Sequence, residues 1–410
     1  MPFVPRDMAK VSTDLPRGPL PRPSRGGLAN IWFSLGFRYW AWQLLILAVV
    51  LLGAGWLIGN AQQALGRLGV ATGFGFLAER AGFDIGETPI PYSASDSFLR
   101  AYAVGLLNTL QVSAVSIVLA TLIGAVVGLG RVASNALIRW LASAYIELFR
   151  NTPQLLQLIF WYALVTRLPA PKEAVSLGGM AFVSNRGLVF PWPVDAHVLA
   201  WAMAAFLGAC AVAFVLMAWA RARHRRTGRS AAPVRQASIA LMLIAPLGVW
   251  LLSDAPTGFS VPRLQGFNFR GGMTISPEFL AMLLALSLYI AAFIAEIVRS
   301  GIRSVGKGQI EAARAIGLTS WQRYSRIVLP QALRVMIPPA ASQYVSLIKN
   351  SSLGVAIGYP ELFNVNNSII TLSGRTVEAI GIMMAVYLSI SLAVAGMMNL
   401  YNRHVRITER

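Results

Sequence analysis

Apolar residues in this chain come in long blocks, without the strict alternation of a half-buried strand. A helix needs about 20 such residues to cross the hydrocarbon core of a bilayer. Eight blocks qualify, roughly at 40–59, 102–130, 140–166, 196–220, 237–253, 277–298, 336–358 and 379–400. A membrane barrel would alternate apolar and polar positions, so the spans are helices. The pattern predicts an all-α integral membrane protein with about eight transmembrane helices.

Two blocks carry polar interruptions. In the third, Asn151-Thr152-Pro153 reads as a helix start, a cap followed by proline, with Gln154 and Gln157 three apart on one face just beyond it. In the seventh, Lys349-Asn350-Ser351-Ser352 sets four polar residues in a row, as a broken helix lining a site would. Polar groups inside spans are costly and usually face a bundle interior or a wet cavity, which makes these six residues pathway candidates. Ser and Gln also bridge neighbouring helices, and Lys349 can reach the outer surface, so a structural role stays open for each. Arg150 and Glu296 lie near inner helix ends, where headgroups and Arg299 are within reach, and a structural role fits them better.

Between the sixth and seventh blocks the chain turns polar and basic. Residues from Gly308 to Ile316 are mostly good helix formers, and Gly317 suits the left-handed conformation that closes a short helix. Ala312 and Ala313 leave one side nearly without side chain, so another protein's surface can approach closely, with Glu311, Arg314 and Gln309 offering polar contacts. Trp321, Tyr324, Ile327 and Val328 recur at helical spacing, and Leu329-Pro330 restarts the chain with proline in a first turn. An amphipathic hairpin lying on lipid is the competing reading of this segment.

Composition agrees with the pattern: of 410 residues, 56% are hydrophobic and 12% charged. The mean hydropathy is +0.60, outside the usual balance of a soluble domain. With eight crossings and a cytoplasmic N-terminus, most Lys and Arg fall on the inside segments 1–39, 131–139, 221–236, 299–335 and 401–410. That bias puts both termini in the cytoplasm. The formal charge of +19 is scattered over short loops beside apolar spans, which suits anionic lipid headgroups and not nucleic acid. The first 39 residues, rich in Pro, Gly and Arg, read as a disordered cytoplasmic tail and not as a cleavable signal. The single Cys210 and the scattered His197, His224 and His404 give no footing for a disulfide or a metal site. Gly301 to Lys307 copies most of a phosphate-binding loop, but Gly308 stands where Ser or Thr should hold magnesium, and the preceding segment is a membrane helix. If ATP is used, another chain must bind it.

The spacing of Glu311-Ala312-Ala313, Gly317, Ile327 and Leu329-Pro330 resembles the signature of bacterial ABC importer permeases. Gly105-Leu106-Leu107-Asn108-Thr109-Leu110, Glu147 to Pro153, Ala295 to Arg299 and Leu347 to Leu353 are similar to motifs of the polar amino-acid (histidine/glutamine/arginine-type) permeases. The likeness covers about 102–166 and 277–403, and implies a five-helix type I importer core split by an insertion at 167–276 holding two spans. An extra N-terminal helix at 40–59 and an outer, periplasmic segment at 60–101 precede the core, as in the long permeases of general L-amino-acid and glutamate/glutamine/aspartate/asparagine systems. The resemblance implies a bacterial inner-membrane permease subunit working with a second, homologous permease, an ATPase dimer that binds ATP and magnesium, and a periplasmic amino-acid-binding protein. It assigns ATPase coupling to Glu311, Ala312, Ala313, Arg314, Gly317, Ile327, Leu329 and Pro330. An ion-coupled secondary amino-acid transporter is the alternative, disfavoured because no internal repeat is evident and almost no acid lies mid-span.

Overall fold

A computed structural model describes residues 35–67, 73–227, 232–253 and 258–405. The expected tail falls almost wholly outside the described residues. By contact the chain divides into two units, Met1–Thr72 and Gly73–Arg410. The first contains α1 (Leu35–Arg67), whose stretch Arg38–Leu57 is apolar enough to span a membrane.

The second unit is organised around two helices, α2 (Phe98–Arg131) and α7 (Pro277–Arg303). Both begin on a serine cap: Ser97 Oγ accepts from the Arg100 amide, and Ser276 Oγ accepts from the Phe279 amide with Pro277 in the first turn. They run parallel and touch along a stripe of small residues on α2: Ser113, Ser116, Ala120, Gly124 and Gly128 are all buried. A Cβ on Gly124 would sit 2.7 Å from Ile294, and one on Gly128 would sit 2.7 Å from the Ala295 carbonyl. In lipid, helix association rests on this kind of close backbone packing, since water exclusion no longer separates one apolar surface from another. Val112, Leu158, Phe279, Met282, Leu286, Ile290, Ile294 and Leu347 fill the core around the stripe.

Six continuous helices among the described residues are long and apolar enough to cross a membrane: in α1, α2, α5 (Ala196–Thr227), α6 (Ala232–Leu252), α7 and α12 (Thr376–Val405). The other two expected spans are broken. Residues 140–166 divide into α3 (Ala136–Asn151) and α4 (Gln154–Thr166), and residues 336–358 lie in α10 (Leu329–Asn350) followed by a tighter 3-10 turn, Ser351–Ile357. Pro153 has no N–H to continue α3, and Thr152 at ψ 139° is already extended.

The insertion is where the structure adds most to the sequence reading. Its two helices, α5 and α6, are flanked by short strands that no alternation signalled. Strands β1 (Val175–Leu177), β2 (Ala181–Ser184) and β3 (Gly187–Phe190) precede α5, and β8 (Met273–Ile275) follows α6. They form one antiparallel sheet in the order β1-β2-β3-β8, with Leu188 opposite Ile275. β4 (Trp192–Pro193) pairs with β5 (Phe259–Ser260), and β6 (Arg263–Gln265) with β7 (Asn268–Arg270). The sheet therefore returns the chain to α7 beside the point where it left, so the insertion is a closed excursion that leaves the packing of α2 on α7 undisturbed.

After α7 come α8 (Lys307–Ala315), α9 (Ser320–Arg323) and a widened turn over Tyr324–Val328 that leads into α10. One expectation is corrected here. Leu329-Pro330 does not restart the chain, because Val328 and Leu329 both have helical dihedrals and the Leu329 amide donates five residues back to Tyr324. The wide turn absorbs the donor that Pro330 lacks while keeping the axis continuous. Finally α11 (Leu362–Ser373) connects to α12.

Candidate functional site

The two helix breaks meet. Asn350, the last residue of α10, donates from Nδ2 to Oε1 of Gln154, the first residue of α4, at 2.6 Å. Gln154 is 9% exposed and Gln157 is 8% exposed, so both amides sit inside the protein. Gln157 spends its NH2 on the break itself, donating to the carbonyls of Phe149 and Thr152 and to Thr152 Oγ1. These are carbonyls that α3 leaves without intrahelical donors at its end. Among the described residues, Nε2 of Gln154 and Oε1 of Gln157 have no hydrogen-bond partner. One face of α4 thus holds a spare donor and a spare acceptor one turn apart, beside Asn350. A zwitterion carries the opposite pair, a carboxylate and an ammonium.

The remaining pathway candidates divide. Ser351 is fully buried and returns its hydroxyl to the Ile348 carbonyl at 2.6 Å. Ser352 bonds the Lys349 carbonyl at 2.8 Å. Both therefore serve the change from α-helix to the tighter turn. The Lys349 side chain is exposed on this chain's surface. Arg150 stacks over Phe293 at 5.1 Å, and Glu296 pairs with Arg299 through Nε at 2.8 Å, so each has a partner inside the bundle.

Helix α8 is closed by Gly317 at φ +77°, with Leu318 N–H on the Ala313 carbonyl at 3.1 Å. The two alanines do not share a face. Ala312 is exposed, whereas Ala313 is 2% exposed, on the side of α8 where Ile310 packs into a cluster with Val305, Val328, Ala332 and Met336. A partner's close approach is therefore left to Ala312, because Ala313 is needed to seat α8 on its own chain. The outward surface holds Glu311, Ala312, Arg314, Ala315 and Ile316, the last 74% exposed. Leu329 and Pro330 are exposed, and Ile327 is partly covered. Gln331, which the sequence reading passed over, ties the segment together: its Nε2 reaches Gln309 Oε1 at 2.5 Å and the Ile327 carbonyl at 3.0 Å. That link and the apolar cluster join α8 to α10. The stretch at 301–307 starts inside helix α7 and ends on the first residue of α8, and so lacks the strand-to-helix frame of a phosphate site.

A third polar group lies at the start of α11 and was missed. Glu361, 0% exposed, caps α11 by accepting from the Phe363 and Asn364 amides at 2.7 and 2.8 Å, and Tyr387 of α12 donates to it at 3.2 Å. Burial pushes its carboxyl up to about 7 against the pull of those donors. Nearby, Glu87 is also raised by burial, opposed by a hydrogen bond from Ser276. A lone Glu between two spans gives no sequence signal that it will be buried.

Helices that cross a membrane, two of them broken around buried amides, with a glycine-closed helix presented at the inner end, make the chain a polytopic membrane transport protein. The family model described as "Binding-protein-dependent transport system inner membrane component" matches residues 116–407. Over 379 residues the chain is 44% identical to the permease protein YhdX of Escherichia coli (strain K12), covering 91% of this chain and 95% of that protein. It is 42% identical to the general L-amino acid transport system permease protein AapQ of Rhizobium johnstonii, over 91% and 94% of the two chains. It is 37% identical to the glutamate/glutamine/aspartate/asparagine transport system permease protein BztB of Rhodobacter capsulatus, over 95% and 99%. The chain belongs to the family of inner membrane components of binding-protein-dependent transport systems.

Proposed function

We propose that this permease imports L-amino acids, polar or acidic ones among them, as one half of a heterodimer with a second homologous permease. A separate ATPase dimer holds ATP and magnesium and drives the cycle. A periplasmic amino-acid-binding protein delivers substrate to the outer face, and both termini of this chain lie in the cytoplasm. The full-length likeness to the two permeases of named amino-acid systems supports the substrate class. What carries the reading is the exposed face of α8, mechanically tied to α10, at whose far end Asn350 meets Gln154. Glu311 is the polar anchor for the ATPase, Ala312 the point of close approach, Arg314 a second polar contact, and Gly317 the turn. Ile327, Leu329 and Pro330 pass the motion on, with Ala313 as the inward seat. Gln154, Gln157 and Asn350 contact substrate. Lys349, a cation exposed within a span, faces a wet cavity shared with the second permease, because lipid would not tolerate it.

The test is a pull-down through this chain, comparing wild type with Glu311→Lys, followed by ATP-dependent amino-acid uptake into proteoliposomes. Loss of both ATPase co-purification and uptake supports the coupling assignment. Retention of both with the charge reversed removes Glu311 from that role.

A further inference from the structure

The motif Gly105 to Leu110 has no part in either the pathway or the coupling face, yet the structure gives it a single task. Its residues grip the segment 359–366 at the outer end of the bundle. A Cβ on Gly105 would stand 3.0 Å from Val365 and 3.1 Å from the Leu362 backbone, so any larger residue would push α11 outward by a few tenths of an ångström. Asn108 donates from Nδ2 to the carbonyls of Pro360 and Glu87, both at 2.9 Å. Thr109 Oγ1 accepts from the Leu362 amide at 3.0 Å. Tyr102, one turn earlier, donates to Asn366 Oδ1 at 2.7 Å.

Helix α11 itself lies between two left-handed glycines, Gly358 at φ +78° and Gly374 at φ +67°. Its face at Asn364, Val365 and Ser368 borders a cleft of about 450 Å³. A short helix articulated at both ends, with open space beside it, takes its orientation from whatever holds its first turn. On one side that is α2, through Thr109 on the Leu362 amide, and on the other it is Glu361, which caps the turn and also holds Tyr387 of α12. Tyr387 thus joins α12 to the start of α11, which Thr109 joins in turn to α2. A buried carboxylate is costly unless its acceptors are filled, and here three donors from two elements fill them.

We propose that Glu361 is a positioning residue of the transport cycle: its carboxylate binds the start of α11 to Tyr387 of α12, so that the outer helix and α12 move as one body when the outer mouth opens. The site lies directly after the pathway residue Asn350, joined to it by the seven-residue turn Ser351–Ile357. Displacement begun at α8 and carried along α10 thereby reaches the outer mouth through this carboxylate. The proposal rests on the importer reading above.

The experiment uses the whole reconstituted complex and measures amino acid taken up per ATP hydrolysed, alongside basal ATPase and the thermal midpoint, for Tyr387→Phe, Glu361→Gln, Glu361→Ala and the double variant. Tyr387→Phe is expected to lower uptake per ATP roughly three- to tenfold, the range for losing one hydrogen bond, and Glu361→Ala, which also removes the cap on Phe363 and Asn364, at least as much. The double variant should be no worse than Glu361→Ala, because that variant already removes the acceptor to which the Tyr387 hydroxyl donates. Glu361→Gln, which keeps an acceptor oxygen, should recover part of the loss. Unchanged uptake per ATP in Tyr387→Phe, or losses that multiply in the double variant, would overturn the proposal. Should Glu361→Ala not assemble, Tyr387→Phe still decides. A wild-type complex with no ATP-dependent uptake would instead sink the importer reading.

Discussion

The two ends of this bundle, at α8 and at α11, solve opposite problems. At the inner end, α8 spends its buried surface on one small apolar cluster and leaves Glu311, Ala312 and Ile316 outside. At the opposite end, buried polar side chains of α2 and α11 tie the two helices together: Tyr102 bonds Asn366, while Asn108, Thr109 and Glu361 bond backbone groups around the start of α11. An exposed face of that kind is built to be completed by another protein. A closed polar cluster is built to keep its own helices in register.

The largest effect expected from breaking this contrast is at the inner face. Glu311→Lys should reduce coupled uptake on the order of a hundredfold or more, as reversing a charge at a protein interface does, while the purified chain keeps its thermal midpoint. Next comes the frame that connects the ends. Gly128→Leu forces a side chain into the Ala295 carbonyl and should destabilise the bundle by about 1–3 kcal/mol, read as a lower unfolding midpoint in detergent. Between the ends, Gln154→Ala should lower kcat/KM for uptake roughly tenfold, since it removes a buried amide and strands Asn350. If it lowers only the midpoint, the amide is structural.

Smaller still is a pH effect at the outer cluster. Glu361, facing the Tyr387 hydroxyl and the amides of Phe363 and Asn364, holds its proton more tightly folded than unfolded, with its carboxyl near 7 against an ordinary 4.5. Stability from this group is complete below the ordinary value and is lost as pH rises through about 7. Midpoints measured across that window should fall with rising pH, and Glu361→Gln should flatten the slope. Least of all, Lys172→Ala in the β-lobe removes a cation lying 4.3 Å over Phe267, costing about 0.5–1 kcal/mol locally, with uptake unchanged.

How much of this could be read from residues alone follows the same division. The spans were legible because membrane crossing demands long apolar runs, and so were both breaks, because Pro153 and the polar run at 349–352 violate that demand. Glycine at 317 announced its own turn. The inward seat of Ala313 was not legible, since alanine suits either side of a helix and only the cluster around Val328 decides it. The β-lobe was hidden by strands of two to four residues, too short for alternation to register. Glu361 was hidden for a different reason: its burial depends on Asn108, Thr109 and Tyr387, which lie far away in sequence and converge only in the folded chain.

The most direct test of the whole account is uptake of radiolabelled L-amino acids into proteoliposomes holding this permease, its partner permease and the binding protein, with and without the ATPase subunits. Uptake that requires both the ATPase and ATP is the predicted result. Uptake that persists without any ATPase and follows an imposed ion gradient would contradict it.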